Sequence, residues 1–354
     1  MKKLFCMVLS FLMVLSLCSC GDKSSEEPPA STDDTQTTEP AQSSEDKIIM
    51  RVGAIVQENS QGGIAMAQAL KPYIEEASNG RIEVELYYNS TLGDARSTAE
   101  QCQMGTLECG IFDAPTLGSF CKAVQILDLP FLFKDLDTCH AALDGEFGQM
   151  IKDELYEVGL VCALADNGWR DISNNVREIR TPADMKGLKI RVMETPTYMT
   201  TMKALGANPT PMSFSELYTG LSQGTVDGQD NGVILSVTAG LPEVLKYYTL
   251  VGYCYSAGAT VVSRTWYDSL DPELQKVVDE GLVKYTEMER QLQAEMEAAM
   301  VEDIKAAGTQ VIELTEEEKQ QWVEACTAVW PELTKDMDPD LVAAAKTVNE
   351  DYGA

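Results

Sequence analysis

The chain has 354 residues, with 56 acids against 27 lysines and arginines and a formal net charge of −29 at pH 7. That balance argues against nucleic acid and anionic lipid headgroups as partners, since both reward basic surface. A single histidine, His140, leaves no polyhistidine metal centre and speaks against a Ser-His-Asp apparatus.

The chain opens Met1-Lys2-Lys3 and then runs largely apolar to Leu17. This run is too short to span a bilayer and fits a secretory signal, residues 1–19. Leu17-Cys18-Ser19-Cys20-Gly21 resembles a bacterial lipobox. Cleavage is then expected before Cys20, whose thiol carries the lipid; the bulky Leu17 makes Cys18 the poorer site. The expected location is extracytoplasmic, anchored as a lipoprotein to the outer face of the cell membrane. Residues 20–47 are Ser, Thr, Pro, Asp and Glu with almost nothing apolar. Such a segment cannot offset its ordering entropy and reads as a disordered acidic tether.

The remaining ~300 residues suffice for two domains. A strand is expected near residues 50–56. A helix over 61–77 carries Pro72 inside its pattern, which should kink it. Ile82, Val84 and Leu86 alternate as a second strand. A helix follows over 94–104, capped by Asp94, and then a third strand ending at Asp113. Strand, helix, strand, helix, strand marks a doubly wound α/β layer. Residues 127–133, broken by Pro130, read as a buried edge segment or crossover. A helix over 145–156, with Asp144 as cap, precedes a short buried strand at 161–165.

A second α/β unit begins with a crossing segment, 167–173. In Gly187-Leu188-Lys189-Ile190-Arg191-Val192 the apolar residues alternate with Lys189 and Arg191, the period of a half-buried strand. On that pattern alone Arg191 is either an ordinary surface arginine or a fork of donors for a carboxylate. A helix is expected near 197–205, a turn at 208–211, and a helix at 214–222 with Ser213 and Glu216 as a capping box. Residues 224–231 turn into a strand with a polar end. Two such units place a cleft at their carboxyl strand edges. Asp271-Pro272 opens an unusually long amphipathic helix reaching Gly308, either one helix across both domains or two. A strand at 310–314 and a helix capped by Thr315 and Glu318 close the pattern.

Beyond Cys20, seven cysteines remain after processing, an odd number with no CxxC pair, read as small buried hydrophobes. No glycine loop for phosphate appears. No metal and no cofactor are expected.

In their order, Asn79-Gly80-Arg81-Ile82 through Leu92-Gly93, Leu129-Pro130-Phe131-Leu132-Phe133, Asp184 to Arg191, Asn208-Pro209-Thr210-Pro211-Met212 and Val226 to Asn231 resemble the solute-binding proteins of TRAP transporters, the DctP family. The resemblance covers residues 50–340. It implies an α/β, two-domain periplasmic-binding-protein-like fold with a hinge and a long domain-spanning helix. The domains would be 48–168 with 257–296, and 169–256 with 297–354. It also implies a binding protein rather than an enzyme, which delivers a small organic acid of C4-dicarboxylate or sugar-acid type to TRAP membrane subunits; a monomer is expected. Arg191 is the carboxylate-binding arginine by this match, Arg170 a second cationic contact, Asn231 a polar contact, and Phe214 a packing surface. Gln57, Ala95-Arg96 and Asp113 fall near strand ends that vary with substrate. Asp113 and Glu194 are either acceptors for ligand hydroxyl or amino groups or solvated charges, and Phe214 is either ligand contact or core. A sensory binding component shares every one of these features, and a hydrolase with paired carboxylates is the enzyme alternative.

Overall fold

The computed structural model describes residues 47–353. The expected signal peptide, Cys20 and all of the expected tether except Lys47 lie outside these residues. Among the described residues nine strands make one mixed sheet: β1 Ile48–Ala54, β2 Ile82–Tyr87, β3 Cys109–Asp113, β4 Leu160–Asn174, β5 Lys189–Val192, β6 Asn208–Pro211, β7 Gly228–Asn231, β8 Tyr247–Ser263 and β9 Gln310–Glu313. Their order is β2-β1-β3-β8-β4-β7-β5-β6, with β9 on β8. β1 runs parallel to β2 and β3, and β5 runs parallel to β6 and β7. The long strands β4 and β8 are antiparallel to each other and join these two parallel sets.

Two separate cores lie along that ladder. The first gathers Val52, Val84, Ile111, Leu160, Leu164 and Val261. The second gathers Ile172, Ile190, Val192, Met202, Val251 and Trp322. Between them the β4–β8 register slips twice, after Asp166 and after Arg170. A bulge adds a residue on one side and bends the strand, so the bends fall where both strands pass from one core to the other.

The long helix is a single element, Pro272–Ala306, of 35 residues, about 50 Å at 1.5 Å per residue. Asp271 caps it by accepting from the Glu273 and Leu274 amides. Its first turns bury Leu274, Val278 and Leu282 in the first core, and its end buries Ile304 against Val233 and Tyr248. The helix therefore packs on both halves.

Several local expectations are corrected. At Pro72, where a kink is expected, the helix runs on through a π-turn, Met66–Leu70, just before the proline, and the Lys71 amide reaches back to Met66. Shifting the ladder by one residue absorbs the missing proline donor. Residues 161–173 are one strand, β4, whose polar middle disguised it. Residues 208–211 are a strand, the sheet edge β6, where prolines cost little because no neighbour needs their amides. The helix Glu146–Glu157 is capped by Gly145, while Asp144 ends the preceding helix, Leu136–Asp144. Ser213 does not cap with its side chain; its hydroxyl donates to Glu216 instead. The expected strand-to-helix step at Thr315 and Glu318 forms the full reciprocal box. A final helix, Pro339–Asp351, was not expected, and Leu341, Ala345 and Val348 put it in the first core. Residues 297–354 therefore do not all belong with the second half. All seven described cysteines are free and buried.

Candidate functional site

The parallel strands of both halves point their carboxyl ends at one cavity. Ile55 follows β1, Ser90 follows β2, and Asp113 ends β3; from the other half come Met193, Glu194 and Thr195 after β5 and Met212 to Ser215 after β6. The cavity holds about 620 Å³ of atom-free space, solvent at its mouth included. In open α/β sheets ligands bind at such strand ends.

Arg191 lines this cavity and is 3% exposed. β5 places it beside Thr210 of β6 and Gln229 of β7. Its Nε donates to the Met212 carbonyl at 2.9 Å, which fixes the plane of the guanidinium. Nη1 is buried and has no partner, and Arg191 has no ion pair among the described residues. Burial is the main reason its pKa falls to about 10; Arg170 pushes the same way, while Asp230, Asp113 and Glu194 oppose. The sequence pattern anticipated the strand but not this burial.

Arg170 does not line the cavity. It lies fully buried behind it, committed to the chain's own groups. Nε meets Asp230 Oδ2 at 3.0 Å, Nη2 donates to the Asp230 carbonyl at 2.5 Å and to Asn231 Oδ1 at 3.1 Å, and the guanidinium stacks over Tyr198 at 4.7 Å. Burial alone would lower its pKa, but Asp230 and the neighbouring tyrosines raise it well above the ordinary value. Asn231 is likewise buried behind the cavity, where its Nδ2 donates to Gln229 Oε1 at 2.6 Å. Asp171 faces Asn231 in the β4–β7 register. This close pairing needs Gly228: a Cβ there would sit 2.2 Å from the Ser173 carbonyl.

Asp113 and Phe214 line the cavity, as do Ala95 and Arg96. Asp113 is buried and accepts from Asn167 Nδ2. Burial raises its pKa, the Arg170 and Arg191 charges pull it back, and Asp230 adds to the rise. Glu194 also lines the cavity but is an exposed residue. Gln57 lines an adjoining opening that shares Ile55, Ser90, Phe214 and Ser215. Its Oε1 accepts from Thr238 at 3.3 Å, which ties the first half to the second. Thr195, Thr116, Ser119 and Ser90 were not anticipated. The signal available for them was position: small hydroxyl residues within a few places of a strand's carboxyl end. His140 pairs with Asp166 at 2.7 Å, away from the cavity. No group of three or more potential metal ligands occurs among the described residues.

A two-lobed α/β frame with a cavity at its strand ends is the frame of a solute-binding protein. Residues 52–336 match the family described as bacterial extracellular solute-binding protein, family 7, DctP. The chain belongs to this family and is a TRAP transporter substrate-binding protein. It is 34% identical over 247 residues to the 2,3-diketo-L-gulonate-binding periplasmic protein YiaO of Escherichia coli, covering 70% of this chain and 75% of that one. It is 30% identical over 305 residues to the C4-dicarboxylate-binding periplasmic protein DctP of Rhodobacter capsulatus, covering 84% and 90%. A TRAP periplasmic solute-binding protein from Polaromonas, solved with D-erythronate, superposes with a TM-score of 0.81 at 30% identity, covering 85% and 98%. These relatives are solute-binding receptors and not enzymes. Among the described residues, no helix is long and apolar enough to cross a membrane.

Proposed function

We propose that this protein captures a small organic acid by closing Arg191 on its carboxylate and delivers it to the membrane subunits of a TRAP transporter. The observation that carries the reading is the buried, ion-pair-free Arg191 with its unused Nη1 in the wall of the inter-lobe cavity. A buried cation without a counter-ion is costly. An incoming carboxylate relieves that cost and gains two charge-assisted hydrogen bonds in fixed geometry. The solutes named for the relatives above, a diketogulonate, C4-dicarboxylates and an erythronate, all carry a carboxylate.

In this reading Arg170 and Asn231 serve from behind. They hold the β4–β7 edge and add a positive field to the site. Asp113, Glu194 and Phe214 contact the body of the ligand, and Gln57 bridges the lobes at the mouth. The bends in β4 and β8 are the hinge, and the tethered Cys20 keeps a monomeric receptor at the outer membrane face.

The test is a thermal-shift screen of the purified protein against organic acids, followed by calorimetry with the best binder. Arg191→Ala is expected to weaken binding at least ~100-fold, two charged hydrogen bonds at about 1.5–3 kcal/mol each. Undiminished affinity in that variant overturns the proposal.

A further inference from the structure

Two polar atoms in the cavity wall are buried and unpartnered: Nη1 of Arg191 and Oγ1 of Thr195. Both come from the end of β5, four residues apart. They differ in what they ask for. A guanidinium donor asks for an anion, whereas a threonine hydroxyl both donates and accepts and so matches an alcohol. Across the cavity stands Asp113, one of whose oxygens is held by Asn167.

The charges around the cavity narrow the choice further. Its wall carries Arg191 and Arg96 against Asp94, Asp113 and Glu194. Arg96 is tied to Glu100 at 3.1 Å, and Arg170, behind the wall, is spent on Asp230. Arg191 is the one buried cation of the wall without an ion pair among the described residues. A first carboxylate finds Arg191. A second carboxylate meets an acidic wall whose other cation, Arg96, is exposed and paired with Glu100, and a buried charge without a partner is strongly disfavoured.

Resting on the receptor reading above, we infer that the ligand is a monocarboxylate carrying hydroxyls, of the aldonate or uronate type, and that Thr195 and Asp113 select it over dicarboxylates. Asp113 accepts from a ligand hydroxyl while repelling a carboxylate. Thr195 supplies the second alcohol contact next to the arginine. A site built around hydroxyl partners rejects analogues that leave those partners unpaired.

Calorimetric titration of the wild-type protein with D-erythronate, succinate and butyrate, and with D-gluconate and adipate, separates the cases at matched chain length. At least one hydroxylated monocarboxylate is expected to bind roughly 30-fold or more tightly than the dicarboxylate of equal length, and more tightly than butyrate. Thr195→Val should weaken that hydroxy acid roughly tenfold and leave butyrate within about twofold. Asp113→Asn should narrow the gap to the dicarboxylate roughly tenfold. If succinate or adipate binds as tightly as its hydroxylated counterpart, and Arg191→Ala abolishes it, the inference is overturned while the receptor reading stands. If none of the five acids binds in an Arg191-dependent manner, the inference is overturned, while the receptor reading is decided separately by the wider organic-acid screen with Arg191→Ala.

Discussion

Arg170 and Arg191 are both buried in the second half of the sheet, both influenced by Asp230, and used in opposite ways. Arg170 sits on β4 with nearly every donor engaged: Asp230, Asn231 and Ser256 take its nitrogens and Tyr198 covers its face. Arg191 sits on β5 with one donor engaged, at the Met212 carbonyl. Burial acts on both to disfavour the charge. It is outweighed at Arg170 and prevails at Arg191, whose pKa falls to about 10. The same residue type is thus structural where the fold supplies its own anion, and available for function where the fold withholds one. The difference lies in partners, since degree of burial barely distinguishes the two.

The largest expected effect comes from cutting the satisfied one. Arg170→Met leaves Asp230 fully buried without its cation and should cost about 3–5 kcal/mol of stability. For a chain of this size that lowers the unfolding temperature by about 10 °C. The double variant Arg170→Met/Asp230→Leu should recover most of the loss, since two well-packed apolar groups replace a buried pair at little cost. Arg191→Met is the counterpart. In ligand-free protein its stability to denaturant should stay within about 1 kcal/mol of wild type, because the buried charge it removes had no counter-ion. Equal, large losses in both variants would erase the distinction between the two arginines.

What the sequence disclosed follows the same division between local and distant causes. The Arg191 strand was legible because Leu188, Ile190 and Val192 alternate with charges, a signal held within six residues. Caps at Asp94, Asp271 and Thr315 were legible for the same reason. β8 was not foreseen, although Tyr247–Ser263 is the longest strand. Its centre, Ser256-Ala257-Gly258-Ala259, is too small and featureless to show a period, and its strength comes from β3 on one side and β4 on the other. β4 was read as two pieces because Asp166, Asn167, Arg170 and Asp171 interrupt the apolar pattern. Their partners, Glu289, Asp113, Asp230 and Gly252, are brought near by the fold alone. The site divided likewise. Arg191 and Asp113 could be singled out as types of residue at types of position. That Arg170 is spent and Thr195 unpaired depends on contacts across the sheet, which no window of sequence contains.

A further prediction concerns a buried acid that, unlike Asp230, has no arginine. Asp171 lies beside the strand bends, and its Oδ1 accepts from the Gly252 amide at 2.9 Å. Burial is the main cause that lifts its pKa to about 8; the Gly252 and Val251 amides and Lys319 pull it down, and Glu297 adds to the rise. A carboxyl raised on folding binds a proton in the native state that the unfolded chain has already lost. Its contribution to stability is therefore whole below the unfolded value near 4, and drains away as pH rises towards 8. Asp171→Asn cannot titrate, so its stability curve between pH 5 and 8 should fall less steeply than that of wild type. The difference in slope should approach ~1.4 kcal/mol per pH unit at most, the limit for one proton. Parallel curves from denaturant melts at several pH values would mean that Asp171 is ionised in the folded protein. In that case Lys319 and the two amides would be enough to hold a buried carboxylate, and an arginine would not be required to keep a buried acid charged in this half of the sheet.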